Sequence, residues 1–419
     1  MTATLPPLPH PHTPGSARAA LSYPAFRIVW IGMFLSMVGT WMQNVALGAY
    51  VQSRTGSGAL VGVMVFAQLG PLLFLSIPGG VLANRFPRAP YIAVMQVVMM
   101  VGSLMLALAA ANHASLPVLF VCNLAIGTAN ALAAPALQAS VPMLVDRRDL
   151  PGAIALNSTQ LNGSRVIGPL IVGLVSLWGV TEAQIFAINA ATYVFLIVAV
   201  LRVQMPTPPR SAASGAGFQR LFDGIRIARS QPPIGSILVA MATFSLLSLP
   251  FISLFPTVAD LGLHIAPKSA TYKYLYAVWA LGAMFGALSA GTILARLDKA
   301  RLVRPSLWVF AGSLAVFGVL RGAAPAFPVG FVLGLSYFLF TTCLLTVLQQ
   351  ALADEDRAPV MALWFMAFGG TVPIGGMIFG PVIDRFGPAS TLLIGAGYAA
   401  VLSVWLKLAP VRRSSIAVD

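Results

Sequence analysis

The sequence predicts an all-α membrane protein: twelve transmembrane helices in two six-helix halves, with both termini in the cytoplasm. Three observations carry that reading. The chain of 419 residues is 58% hydrophobic and only 9% charged, where a soluble protein has about a quarter of its residues charged. The apolar residues gather into runs of about 20, the length that crosses a bilayer. The lysines and arginines fall unevenly between the connections, which orients the spans.

Taken in order, the runs are 28–52, 60–83, 91–111, 117–142, 152–178, 183–203, 233–259, 272–295, 304–321, 327–351, 359–382 and 389–409. Proline and glycine inside them do not argue against helices, because neighbouring helices re-satisfy the freed backbone groups. With both termini inside, Arg54, Lys268, Lys273, Arg321 and Arg385 fall outside and Arg165 falls within span five. The other 19 of the 25 basic residues fall on the cytoplasmic side. Residues 1–25 are proline-rich without an apolar core, so they read as a disordered tail rather than a signal peptide. Residues 26–203 form the first half and 233–410 the second, followed by a tail at 411–419. Between the halves, 204–232 is a cytoplasmic linker. It opens on QMPTPPRSAASGAG, which has the composition of a flexible chain. Then Phe218, Leu221, Phe222 and Ile225 fall at i, i+3, i+4 and i+7, the spacing of a helix lying on the membrane surface.

The halves repeat. Gly80, Arg85 and Arg88 recur as Gly291, Arg296 and Lys299 at an offset of 211. Arg147 recurs as Arg357 at 210, and Gly168-Pro169 as Gly380-Pro381 at 212. Six spans per half make the repeat parallel, about an axis along the membrane normal. The net charge of +14 forms no basic stripe, so nucleic acid is excluded as a partner. Cys122 and Cys343 sit inside apolar runs and read as small buried hydrophobes. No metal, cofactor or catalytic residue is expected, and no phosphate-binding glycine-lysine loop supports ATP drive.

GGVLANRFPR (79–88) resembles the loop signature of the major facilitator superfamily, with Asn84 where that signature has aspartate. Gly163, Gly168, Pro169 and Gly173 resemble the glycine-proline signature of its antiporter branches. FRIVWIGMFLSMVGTWMQNVALGAYV (26–51), PALQASVPMLV (135–145) and APVMALWFMAFGGTVPIGG (358–376) are similar to the drug and siderophore exporters that include enterobactin and macrolide efflux proteins. The resemblance implies the major facilitator fold. It also implies gating roles for Gly80, Asn84, Arg85 and Arg88 at the inner face, and for Gly163, Gly168 and Pro169 in the span that seals one face. Asn84 cannot neutralise an arginine, so the inner gate is expected to be looser than the family norm.

In that superfamily spans one, four, seven and ten line the central cavity. Ser36, Thr40 and Gln43, with Asn44 beside them, fall on one face of span one. Asn123, Gly127, Asn130 and Gln138 do so in span four, Ser158, Asn162, Arg165 and Pro169 in span five, and Phe244, Ser248, Phe251 and Phe255 in span seven. Tyr276, Trp279, Tyr337, Thr341 and Trp364 are weaker additions. Arg165 is 13 residues into its span, about 20 Å deep by the helical rise. Asn130 and Gln43 lie near the same depth, so a network of their amides around the guanidinium is expected. An arginine here is costly, and no carboxylate falls at its level. It is read either as a structural hub or as a counter-charge for substrate. The coupling proton implied by the family has only Asp260 and Glu182 as candidates, at the outer ends of spans. The expected protein is a monomeric, multi-pass transporter of the bacterial inner membrane, in contact with lipid. It exports amphipathic small molecules by alternating access and is driven by protons. A lipid or lysolipid flippase, an importer and a non-transporting receptor are the alternatives.

Overall fold

The computed structural model describes residues 12–205, 216–353 and 355–406, and among these every regular element is helical. The helices are α1 (Ala17–Leu21), α2 (Pro24–Thr55), α3 (Gly58–Arg85), α4 (Arg88–Ala111), α5 (Leu116–Ser140), α6 (Leu150–Ser176) and α7 (Glu182–Arg202). After the linker come α8 (Ala216–Ser230), α9 (Pro232–Leu247), α10 (Pro250–Ser253), α11 (Phe255–Thr257), α12 (Ala270–Gly291), α13 (Lys299–Val319), α14 (Ala323–Ala351), α15 (Arg357–Phe365), α16 (Thr371–Phe386) and α17 (Pro388–Trp405). Turn chemistry sets several boundaries. Gly56 ends α2 in the left-handed region at φ 63°, where a side chain would be strained. The Ser57 hydroxyl then accepts from Leu60 N to start α3, and Thr181 with Gln184 forms a capping box on α7.

Ten described helical segments, counting α15 through α16 as one, are long and apolar enough to cross a membrane. Two expected spans are not among them, each for a physical reason. α6 is continuous over 27 residues, but Asn157, Ser158, Thr159, Gln160, Asn162 and Arg165 make it too polar. Span seven is not one helix. It breaks at Ser248 before Pro250, which cannot continue the backbone ladder, and ends in a π-turn at Val258–Gly262. The expected stripe through Phe244, Ser248, Phe251 and Phe255 therefore bends, and Ser248 Oγ donates to the Gly395 carbonyl at 2.7 Å. A second π-turn, Met366–Gly370, interrupts span eleven between α15 and α16.

The first half packs α2 on α6 and α7, α3 on α5, and α4 on α5 and α7; the second packs α12 on α14, and α13 on α14 and α17. Across the halves α3 meets α16 and α6 meets α12. The linker helix α8 meets α9 at 117° and leans on α15, where Gly224 approaches the Pro359 carbonyl. Phe222 is exposed on α8. The side chains of Phe218 and Leu221, residues 206–215 and the tail from 407 lie outside the described residues.

The expected disordered tail through residue 25 is wrong for 12–25. Gly152 admits the Ser16 carbonyl against the start of α6. Asp149, 1% exposed, accepts from Gly15 N and from Tyr23 Oη, both at 2.9 Å, and pairs with Arg148 at 3.5 Å. Burial first, then its carboxylate partners Asp146 and Asp149, push the Tyr23 phenol up to about 12. Its proton, and the clamp, persist through neutral pH and are lost only as pH climbs through that value. The variant Asp149→Ala is expected to destabilise the bundle by about 1–3 kcal/mol, the cost of stranding buried donors. Thermal unfolding in detergent and faster tryptic cleavage at Arg18 are the measurements.

Candidate functional site

α6 sets the site. Ile154, Ser158, Leu161 and Arg165 follow one another at helical steps, and Pro169, Val172 and Ser176 continue the same face. Up to Arg165 that face is open, with Ile154 54% and Leu161 39% exposed. Beyond it the face is shut. Pro169 and Val172 are buried, Gly173 lies under the Tyr274 ring, and Ser176 Oγ accepts from Lys273 Nζ at 2.6 Å. The facing helix α12 follows suit, with Ala277 buried and Leu288 half exposed. The two helices form walls of a wedge-shaped cleft that opens at the face where α2 begins (the terminal face) and closes at the opposite, distal face. Arg165 is the last open position.

The guanidinium at this apex has neither an ion pair nor a hydrogen bond among the described residues. Its Cζ lies 5.1 Å from the Trp41 ring of α2 and 5.2 Å from the Phe338 ring of α14. One aromatic comes from each half. Each such contact contributes about 0.5–2 kcal/mol, more as water is excluded. The positive charge is held by ring faces but not cancelled.

The expected amide network does not form. Gln43 is fully buried inside the first half. Its Oε1 accepts from Ser103 Oγ at 2.7 Å and from Asn189 Nδ2 at 2.8 Å. Tyr193 Oη accepts from the same Asn189 amide and lies 3.3 Å from Thr40 Oγ1. Thr40 and Gln43 thus tie α2, α4 and α7 together. Asn44 accepts from Gln68 Nε2, joining α2 to α3. Of the predicted polar residues, Asn162 and Asn130 stay half-buried, and Asn162 Nδ2 donates back to the Ser158 carbonyl at 2.9 Å. Phe251 and Tyr337 are buried in an aromatic cluster filling the second half. Phe251 packs edge-on to Trp279, and Tyr337 stacks on Trp279 and Phe368. These are core residues rather than cavity lining.

The distal seal is built by close backbone approach and by polar contacts. A Cβ on Gly62 would stand 2.4 Å from the Gly376 carbonyl oxygen, and one on Gly380 would stand 2.6 Å from Ala59 Cα, so α3 and α16 touch backbone to backbone. Gly168, tight against Trp41 and Met42, holds α6 on α2, while Gly163 makes only ordinary contact with Phe34. Gln52 Nε2 donates to Asp260 at 2.9 Å, and Thr257 Oγ1 donates to Gln52 Oε1 at 2.7 Å. Glu182 pairs with Lys268 at 3.9 Å. Asp384 of α16 reaches the start of α3, accepting from Gly58 N at 2.6 Å, Ala59 N at 3.0 Å and Ser57 Oγ at 2.7 Å. Both proton candidates are therefore members of the seal. At the terminal face Gly80 packs loosely toward Pro135, Arg85 is exposed, and the Asn84 side chain lies outside the description. Arg88 is buried and donates to the Ala139 carbonyl and to Met143 Sδ within its own half.

Trp41, Phe338, Lys273 and Asp384 were not anticipated. The aromatic pair shows no periodic signal, and Lys273, 1% exposed, reads in sequence as one more loop lysine.

The profile of a family described as "Transmembrane secretion effector" matches residues 15–416. Over 343 residues the chain is 28% identical to "Enterobactin exporter EntS" of Escherichia coli O1:K1 / APEC, covering 81% of this chain and 79% of that one. The protein of that name from Shigella boydii serotype 4 (strain Sb227) gives the same figures. Among solved structures, a D323A mutant of the nucleoside transporter NupG superposes with TM-score 0.74 at 15% identity, covering 91% of this chain and 98% of that one. A bacterial homologue of the human lysosomal transporter Spinster, inward-facing and unoccupied, gives TM-score 0.66 at 17% identity over 91% and 95%. At these identities the two structures are alike in fold alone.

The backbone contact between α3 and α16 leaves no room for a side chain. In a background with Cys122 and Cys343 replaced by alanine, Thr257→Cys is expected to be shielded from an impermeant maleimide at the distal face. Adding Gly62→Leu should speed its labelling about tenfold or more, as an overpacking penalty of about 1–3 kcal/mol implies. Unchanged labelling would show that this contact does not hold the seal.

Proposed function

The chain belongs to the transmembrane secretion effector family of the major facilitator superfamily, and from that membership we propose a specific mode of export. At the coarser level it is a multi-pass transporter of the bacterial inner membrane that exports small molecules, and not an enzyme. We take the two polar or broken segments, α6 and α9 to the π-turn at 258–262, as spans five and seven. With twelve spans both termini share one side, and the bias of the basic residues supports taking that side as the cytoplasm.

The proposed cargo is an amphipathic small molecule, a drug or siderophore-like metabolite, loaded from the cytoplasm through the cleft and released when the halves rock apart at the distal face. The observation that carries this reading is the charge of Arg165 at the apex, flanked by Trp41 and Phe338 and lacking a carboxylate. A site with an unspent cation between two rings favours a molecule with both an electron-rich oxygen and a flat apolar face. The relatives named as enterobactin exporters support the siderophore-like class. Arg165 then serves as hub and as ligand group, because it contacts rings of both halves while its donors remain free. Protons are the proposed exchanged ion. Asp260 and Glu182 support this choice, since each is held at the distal seal by a group of the other half.

In an efflux-deficient host, Arg165→Ala is expected to raise accumulation of exported compounds and cut the export rate about tenfold or more, the effect of losing a charged hydrogen-bond donor. Arg165→Lys should retain part of the rate for anionic compounds. An uncoupler should collapse export by the intact protein. Undiminished export by Arg165→Ala would overturn the assignment.

A further inference from the structure

Two cations meet one face of α6. Arg165 stands at the apex of the cleft. Pro169, Val172 and Ser176 follow it on the same face, and Ser176 Oγ accepts from Lys273 Nζ of α12 at 2.6 Å. The two helices run antiparallel here, with Gly173 under the Tyr274 ring and Ser176 bonded to Lys273. From Arg165 to Ser176 is about 16 Å along α6, at the helical rise of about 1.5 Å per residue. Lys273 is 1% exposed, so the second cation is shut behind the seal, between the apex and the distal face. The stretch that separates the two is apolar, with Pro169 and Val172 buried on α6 and Ala277 and Ala280 buried on α12.

The tie that Lys273 makes does not account for its charge. Its Nζ donates to the Ser176 hydroxyl and, at 3.0 Å, to the Lys268 carbonyl, and both acceptors are neutral. No described carboxylate forms a salt bridge with it. The acids of the distal seal are engaged elsewhere. Glu182 pairs with Lys268, Asp260 accepts from Gln52, and Asp384 accepts from the start of α3. Lys273 also falls in the first turn of α12, which begins at Ala270, where the helix dipole opposes a cation. Burying an ammonium without a counter-charge is costly. A hydroxyl or amide donor would close the same contact at less cost, as Ser103 and Asn189 do around Gln43. The charge itself is the unexplained feature, and an anion is what it fits.

We propose that Lys273 is a second station for the cargo: when the halves part at the distal face, its ammonium leaves Ser176 and takes an anionic group passed on from Arg165. The cargo is thereby narrowed to amphipathic organic anions. The inference rests on the reading of Arg165 as the loading site. Burial sets the order of events. With the distal face closed, Lys273 is covered by the seam of α6 and α12, so Arg165 alone meets the cargo. Parting the two helices breaks the Lys273–Ser176 bond and uncovers the ammonium together with the apolar stretch before it. An anion held at one buried cation leaves it only by losing its whole partner. A second cation along the path divides that step in two, as multi-site pores do when they bind firmly and still release.

The test measures uptake by the full chain in inverted membrane vesicles. Two probes differ only in charge, an alkyl-substituted aromatic carboxylate and its primary amide. Lys273→Gln keeps a donor for Ser176 and removes the charge. It should lower the carboxylate-to-amide ratio of kcat about tenfold or more, the effect of losing a charged hydrogen-bond donor, while the carboxylate's KM, set at Arg165, stays near the parent value. Lys273→Arg should hold the ratio. Ser176→Ala removes the tie and keeps the ammonium, so it should hold the ratio even where a looser seal changes both rates. The second station is refuted if Lys273→Gln slows both probes alike, as loss of a simple lock would, or if Ser176→Ala reproduces its selectivity. Ser176→Asp gives Lys273 the counter-charge it lacks and should lower the ratio as Lys273→Gln does. An unchanged ratio there refutes the station even if Lys273→Gln fails to fold. Arg165→Ala in the same vesicles separates the two readings. Undiminished export by that variant removes the apex site on which the inference rests, whereas lost export by Arg165→Ala beside an unaltered ratio in Lys273→Gln removes only the second station.

Discussion

Where α3 crosses α16 two backbones meet with no side chain between them. Gly62 and Gly376 permit that approach, and Gly380 on Ala59 extends it. In a membrane, association between helices gains little from the hydrophobic effect and depends on such close packing and on interhelical hydrogen bonds. Everything else in the molecule is arranged around this contact. With the halves pinned at the distal end, α6 and α12 must diverge toward the other end, and the divergence is the cleft. The polar contacts of Gln52, Asp260, Lys273 and Asp384 are possible only because the backbones are already close.

The same constraint explains how a guanidinium is tolerated in mid-span. An arginine at the centre of a helix costs about 2.5–3.5 kcal/mol on insertion scales. Two cation–π contacts of up to about 2 kcal/mol each offset a penalty of that size, without any acid. They require one ring from each half at about the same distance, which the pinned geometry supplies through Trp41 and Phe338. A carboxylate partner would have cancelled the charge and left nothing for a bound molecule to satisfy.

Much of the fold was legible because it follows from composition and spacing. The apolar runs lie where the described helices lie, and Gly168 of α6 packs helix on helix against Trp41 and Met42. The places where reading failed share a cause. Thr40, Gln43, Phe251 and Tyr337 fall on helical stripes, but a stripe fixes a face and not what that face meets. In the first half the polar stripe turned inward to α4 and α7, where Ser103 and Asn189 donate to the Gln43 carbonyl oxygen. The aromatic stripe met other rings. Asp384 was visible only as a loop acid, since its importance comes from a helix 326 residues earlier in the chain. Ser248 shows the remaining limit: a helical period was read straight through a proline that breaks the helix.

The buried hydrogen bonds around Gln43 give the two halves different mechanical characters. Thr40, Gln43, Ser103, Asn189 and Tyr193 cross-link three helices with directional bonds, and any shear between those helices must break several at once. The second half has rings in the corresponding volume, held by ring-to-ring packing rather than by hydrogen bonds between side chains. It also contains the broken α9–α11 segment and both π-turns, features associated with local yielding. One half is thus a stiff frame and the other a compliant one. If the halves rock, the internal deformation concentrates in the second, and the charge on α6 is carried by the frame that does not bend.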